Sequence, residues 1–117
     1  MEYYELAPSE ELQVLKKRLL NEVKNIYRNL NEEHSPVYQR LLETRVQLIG
    51  DTLEMIANKP DIRLDELASF MNDRIETAEK EVDDAVTFVE RENLYHKISA
   101  YEYIFEVVKR VSRKYKL

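Results

Sequence analysis

The stretch SEELQVLKKRLLNEVKNIYRNLN, residues 9–31, places Leu12, Leu15, Leu19, Val23, Ile26 and Leu30 at successive intervals of three and four. That spacing keeps every one of them on a single stripe of a 3.6-residue helix, which Leu20 and Tyr27 widen. Pro8-Ser9 supplies a start signal, because serine can cap the first free amides of a helix. The pattern predicts a helix over 9–31, and the rest of the chain repeats it. There is one glycine in 117 residues, and punctuation is confined to Glu32-Glu33-His34-Ser35-Pro36, Asn58-Lys59-Pro60-Asp61 and a weaker interruption at Arg91-Glu92-Asn93.

Ser35-Pro36 is a second start signal, since proline at the first helical position gives up no intrahelical donor. Tyr38, Leu41, Leu42, Leu48, Ile49, Leu53 and Ile56 then predict a helix over 36–58. Gly50 within it costs about 1 kcal/mol relative to alanine and reads as the mark of a close helix crossing. After Pro60, the stripe Leu64, Leu67, Met71, Ile75, Ala78, Val82, Ala85 and Val89 predicts a third helix over 62–91, roughly 45 Å long. That helix exceeds its neighbours, so either Asn72-Asp73 divides it or one end projects and needs a partner. Leu94, Ile98, Tyr101, Ile104, Phe105, Val108, Val111 and Tyr115 predict a fourth over 95–116. Short loops between long helices favour antiparallel neighbours, hence an all-α, up-and-down four-helix bundle. Helical hairpins completed by dimerisation are the alternative. The chain reads as one domain, 1–117, with residues 1–8 open to disorder.

Composition removes several functions. The chain has no cysteine, which excludes disulfides, thiolate nucleophiles and cysteine-ligated zinc. One glycine leaves no phosphate-binding loop, and neither histidine belongs to a paired zinc motif or a Glu-x-x-His di-iron motif. No apolar run approaches the ~20 residues a bilayer requires, and the N-terminus shows no targeting pattern. The expectation is a soluble cytoplasmic protein with no metal, no cofactor and no membrane partner.

Charge is segregated beneath the formal balance of −5. Residues 61–92 carry eleven acids against four bases, and residues 93–117 six bases against two acids. Lys17, Lys24 and Arg28 share a polar row on the first helix. Arg110 and Arg113 join Tyr95 and Tyr103 on the face of the fourth helix opposite its apolar stripe. If helices 1 and 4 adjoin, the rows form one basic surface on which nucleic acid could bind, with tyrosine rings available for base stacking. The same mixture of tyrosine and arginine suits a protein interface. Phe70 and Phe88 fall on one flank of the long third helix, beside its stripe, and are candidate partner contacts.

Two short motifs resemble known families. Arg91-x4-His96 has the spacing found in HEPN ribonucleases, small all-α domains. The resemblance implies metal-independent RNA cleavage in which His96 assists proton transfer and Arg91 stabilises phosphate charge. Glu92 departs from the usual pattern and would repel RNA phosphate. Glu76-x-x-Glu79 and Glu81-x-x-Asp84 resemble the acidic motifs of MazG-type pyrophosphohydrolases, where the pairs face one another from separate helices. Here they are nearly contiguous and read as a solvated acidic face. The favoured expectation is therefore a non-catalytic interaction module, a subunit or adaptor of a larger assembly or a homo-oligomer, with Phe70, Phe88, Tyr95 and Tyr103 contacting the partner. The ribonuclease using Arg91 and His96 is the alternative.

Overall fold

In the computed structural model, the described residues are 8–30, 32 and 34–115, with side chains from Glu10 to Ser112 within that range. The segment 1–7, within the stretch left open to disorder, lies outside the described residues. The chain forms four helices and, among the described residues, no strand: α1 (Pro8–Leu30), α2 (Pro36–Asn58), α3 (Leu64–Asp84) and α4 (Phe88–Tyr115). All four pack within one chain as an all-α four-helix bundle measuring 51 × 34 × 30 Å. None of the helices is long and apolar enough to cross a membrane.

The second helix forms where its punctuation says, whereas α1 begins at Pro8, so Ser9 lies within its first turn and not at its N-cap. Ser35 Oγ accepts a hydrogen bond from the Tyr38 amide at 3.2 Å and Pro36 opens α2. The helix closes when the Lys59 amide returns to the Met55 carbonyl, and a turn from Lys59 to Ile62 leads into α3. Gly50 marks no crossing: it is exposed, and a Cβ placed there would meet nothing within 4 Å.

The third boundary differs from the sequence expectation. Instead of running to residue 91, α3 stops at Asp84, passing unbroken through Asn72-Asp73. Ala85 is extended (φ −68°, ψ 132°), and α4 starts at Phe88 rather than 95. The cause is a variant of the capping box, in which Glu90 reaches the amide of the residue before the N-cap. Thr87 Oγ1 accepts from the Glu90 amide, and the Glu90 carboxylate accepts from the Val86 amide, both at 3.1 Å. Folding back here lets α3 and α4 bury their stripes against each other, and this is the most extensive helix pair in the molecule. The overlong helix is thus α4, with 28 residues and roughly 42 Å of length.

Contacts fix the directions of the helices. Arg40 meets Glu92 and Arg45 meets Ser99, so α2 and α4 run parallel. Leu64 and Ala68 line one groove with Val108 and Ser112, so α3 is antiparallel to α4. α4 touches all three other helices, whereas the backbones of α2 and α3 make no close approach among the described residues. A cleft of about 290 Å³ separates those two, with Tyr101 of α4 between them. The buried core comprises Leu12, Leu15, Leu19 and Ile26 of α1; Leu42, Leu48, Ile49 and Ile56 of α2; Ile62; Leu64, Leu67, Met71, Ile75 and Ala78 of α3; and Ala100, Ile104, Val107, Val108 and Val111 of α4. Leu20, Tyr27 and Tyr38, assigned to the apolar stripes by spacing, are exposed.

Candidate protein-interaction surface

The α3–α4 junction projects apolar side chains from a hydrogen-bonded turn. Val86 is 87% exposed, Phe88 78% and Val89 65%, while Thr87 between them is held by its capping bonds. Tyr95, seven residues after Phe88 and therefore on the same face of α4, is 57% exposed. α2 and α4 run parallel, so their N-termini share this end of the bundle. Val37 and Phe88 each lie about one turn beyond the Arg40–Glu92 ion pair, whose closest atoms are 2.6 Å apart. Val37, Tyr38 and, in the last turn of α1, Tyr27 add exposed apolar surface at the same end. Among the described residues, Leu20 is the one large exposed hydrophobic elsewhere.

Charge at this tip is strongly acidic. Residues 76–97 hold seven carboxylates against three cations, and one of the seven, Glu92, is paired with Arg40 of α2. Glu81, Asp83 and Asp84 crowd the C-terminal turn of α3, which carries no basic residue. That placement sets negative side chains on the negative end of the helix dipole. Among the described residues none of the three has an ion-pair or hydrogen-bond partner. Arg91 lies nearby, its guanidinium donating to the Ala85 carbonyl at 3.3 Å. A shallow groove beside the junction is lined by Glu81, Asp84, Ala85, Glu90, Asn93, Leu94 and Lys97.

The four expected partner residues do not form one surface. Phe88 and Tyr95 belong to the tip. Phe70 stays on α3, half-buried at the α2–α3 cleft with the Arg74 guanidinium 4.8 Å from its ring centroid, so it shares no helix with Phe88. Tyr103 turns inward to the junction of α1, α2 and α4. Arg45 stacks on its ring at 4.9 Å and also reaches Glu22 at 3.8 Å and Ser99 at 3.4 Å. Burial, followed by the hydrogen bond and the negative charge of Glu22, pushes the Tyr103 phenol above its ordinary pKa, against a smaller opposing effect of Arg45 and Arg110.

α1 and α4 are neighbours, as a joint basic surface requires. Lys17, Lys24, Arg28 and Arg110 are all exposed, and the Arg113 side chain lies outside the described residues. The α1 cations alone span roughly 17 Å along the helix. Arg91 and His96 are not brought together: five helical positions separate their directions by about 140°, and His96 is buried at 6% exposure while Arg91 is exposed. The acidic pairs Glu76/Glu79 and Glu81/Asp84 lie on the outside of α3, and among the described residues no grouping of His, Asp and Glu is arranged to hold a metal ion. Comparison of the chain with family models, curated proteins and solved structures gives no match.

The sequence reading missed Val89 as a surface residue because its spacing continues the α3 stripe, and it did not single out Val86. The signal that could have revealed them is Thr87-x-x-Glu90, which has the capping-box pattern. For the Glu22–Arg45–Tyr103 cluster there is no comparable local signal, since its members come from three helices.

Proposed function

We propose that this chain is a non-catalytic all-α interaction module, a cytoplasmic subunit or adaptor that engages a protein partner through the α3–α4 tip. The observation that carries the reading is the gathering of Val86, Phe88, Val89 and Tyr95 at one end of a bundle whose other apolar side chains are largely buried. Scattered exposed hydrophobics are ordinary, but a rigid cluster on one projection is the arrangement that interfaces use. Preorganisation by the Thr87 cap lowers the ordering cost of binding.

Placing a photo-cross-linker at position 89, and in a separate variant at exposed position 54 near the opposite end, tests this. A discrete adduct to another protein, or to a second copy, is expected from position 89 and not from position 54. Equal labelling from both positions, or none from either, overturns the reading. Metal-independent RNA cleavage that disappears in His96→Ala while the fold is retained would replace it with the nuclease.

A further inference from the structure

Resting on that interaction reading, we infer that the partner of the α3–α4 tip is a cationic amphipathic helix of another protein, its apolar face on Val86, Phe88 and Val89 and its basic residues on the carboxylates beside them. Two features coincide at one place. The junction exposes three apolar side chains within four residues, and the adjoining turn of α3 concentrates Glu81, Asp83 and Asp84 where the helix dipole disfavours them. A cation brought to that turn meets both the side-chain charges and the negative end of the helix dipole.

The groove next to the junction suits a long basic side chain. Its lining combines the apolar Ala85 and Leu94, which suit the methylenes of lysine or arginine, with the carboxylates of Glu81, Asp84 and Glu90, which suit the charged head, Glu90 while also accepting from the Val86 amide. Lys97, also in the lining, leaves the carboxylates in excess. An amphipathic helix delivers both parts of this ligand at once, since its apolar and basic rows lie on adjoining faces.

Other occupants fit less well. The chain's own cationic segment, Lys109 to Lys116, is a poor ligand for a second copy, because Val111, its one aliphatic residue, and Val108 just before it are committed to the core of its own bundle. Nucleic acid and anionic lipid would bring phosphate to a carboxylate-rich tip.

The test is fluorescence anisotropy of the full chain with three labelled helical peptides that share one leucine pattern and carry lysine, glutamine or glutamate at the polar positions. The lysine peptide is expected to bind most tightly, with salt weakening it. Its affinity should fall by about tenfold or more in Phe88→Ser and in the double variant Asp83→Lys/Asp84→Lys. The control reversal Glu54→Lys/Asp61→Lys, near the other end of the bundle, should leave it within about twofold. Circular dichroism confirms that each variant is folded. Equal loss in the control variant, or no preference for lysine over glutamine, overturns the cationic assignment. If the glutamine peptide still binds in a Phe88-dependent way, the interaction reading survives. If no peptide binds, the inference fails on its own, because the position 89 cross-link is read independently.

Discussion

At Tyr103 a phenol, a carboxylate and a guanidinium from three different helices meet, half-buried, where α1, α2 and α4 adjoin. Burial and Glu22 both resist ionisation of the phenol, so the folded state holds its proton more tightly than the unfolded chain does. The sign follows directly. The stabilisation is complete below the ordinary tyrosine pKa near 10 and is lost as pH rises above it, where the unfolded chain ionises first. Alkaline titration of tyrosinate absorbance is expected to show one tyrosine lagging the others, and Tyr103→Phe should abolish the laggard and flatten the alkaline decline in melting temperature. A titration unchanged by that substitution would contradict the geometry. His96 presents the opposite case, a buried ring whose Nδ1 has no hydrogen-bond partner among the described residues. Replacing it with leucine removes an unsatisfied polar atom, so His96→Leu should leave thermal stability unchanged or raise it by about 1 kcal/mol. Neither environment was legible in the sequence. A helical wheel put Tyr103 on a polar face because it assumes one core-facing side, whereas α4 has neighbours on several flanks.

Among the elements, α1 and α2 begin and end close to where their punctuation and apolar spacing indicate, and at α2 the Ser35 cap agrees with the tertiary packing. The α3–α4 boundary was hidden because Ala78, Val82, Ala85 and Val89 keep helical spacing straight across a real break. Ala85 remains buried even though it is extended, so burial at that position carries no information about the helix ending. What ends it is the Thr87–Glu90 box, a hydrogen-bonding signal that hydrophobic spacing cannot register. Thr87→Ala should therefore destabilise the protein by about 1 kcal/mol. Amide exchange should accelerate at Val86, Glu90 and Arg91, whose amides the cap holds, which a urea melt and hydrogen exchange would show together. Gly50 is a cheaper probe of the same logic. Its surroundings are open to a Cβ, so Gly50→Ala should stabilise α2 by about 1 kcal/mol, the helix-propensity difference between the two residues. A loss of stability instead would restore the close crossing that its sequence position suggests.

For the molecule as a whole, α4 is the element on which the others depend. It packs against α1, α2 and α3, and its segment from Ala100 to Val111 includes Ile104, Val107 and Val108 among the buried core. α1 makes the thinner set of contacts, facing α2 and α4 with little approach to α3. Opening α1 therefore uncovers part of the core without dissolving the α3–α4 hairpin, whereas freeing α4 leaves no two remaining helices well joined except α1 and α2. Native-state hydrogen exchange should reflect this difference as a hierarchy. Amides from Ala100 to Val111 are expected to exchange only through global unfolding, with α1 amides opening at lower free energy. Ile104→Ala, which empties a fully buried site on α4, should cost about 2–5 kcal/mol and lower the protection of every helix together. Phe88→Ser, at the solvent-facing tip, should change global stability by less than about 0.5 kcal/mol. The contrast separates the two halves of the molecule's chemistry. If Phe88→Ser instead collapses protection in α4, the tip is part of the core and has nothing to spare for a partner. If α1 proves as slow to exchange as α4, the bundle opens as one unit and α4 is no more central than its neighbours.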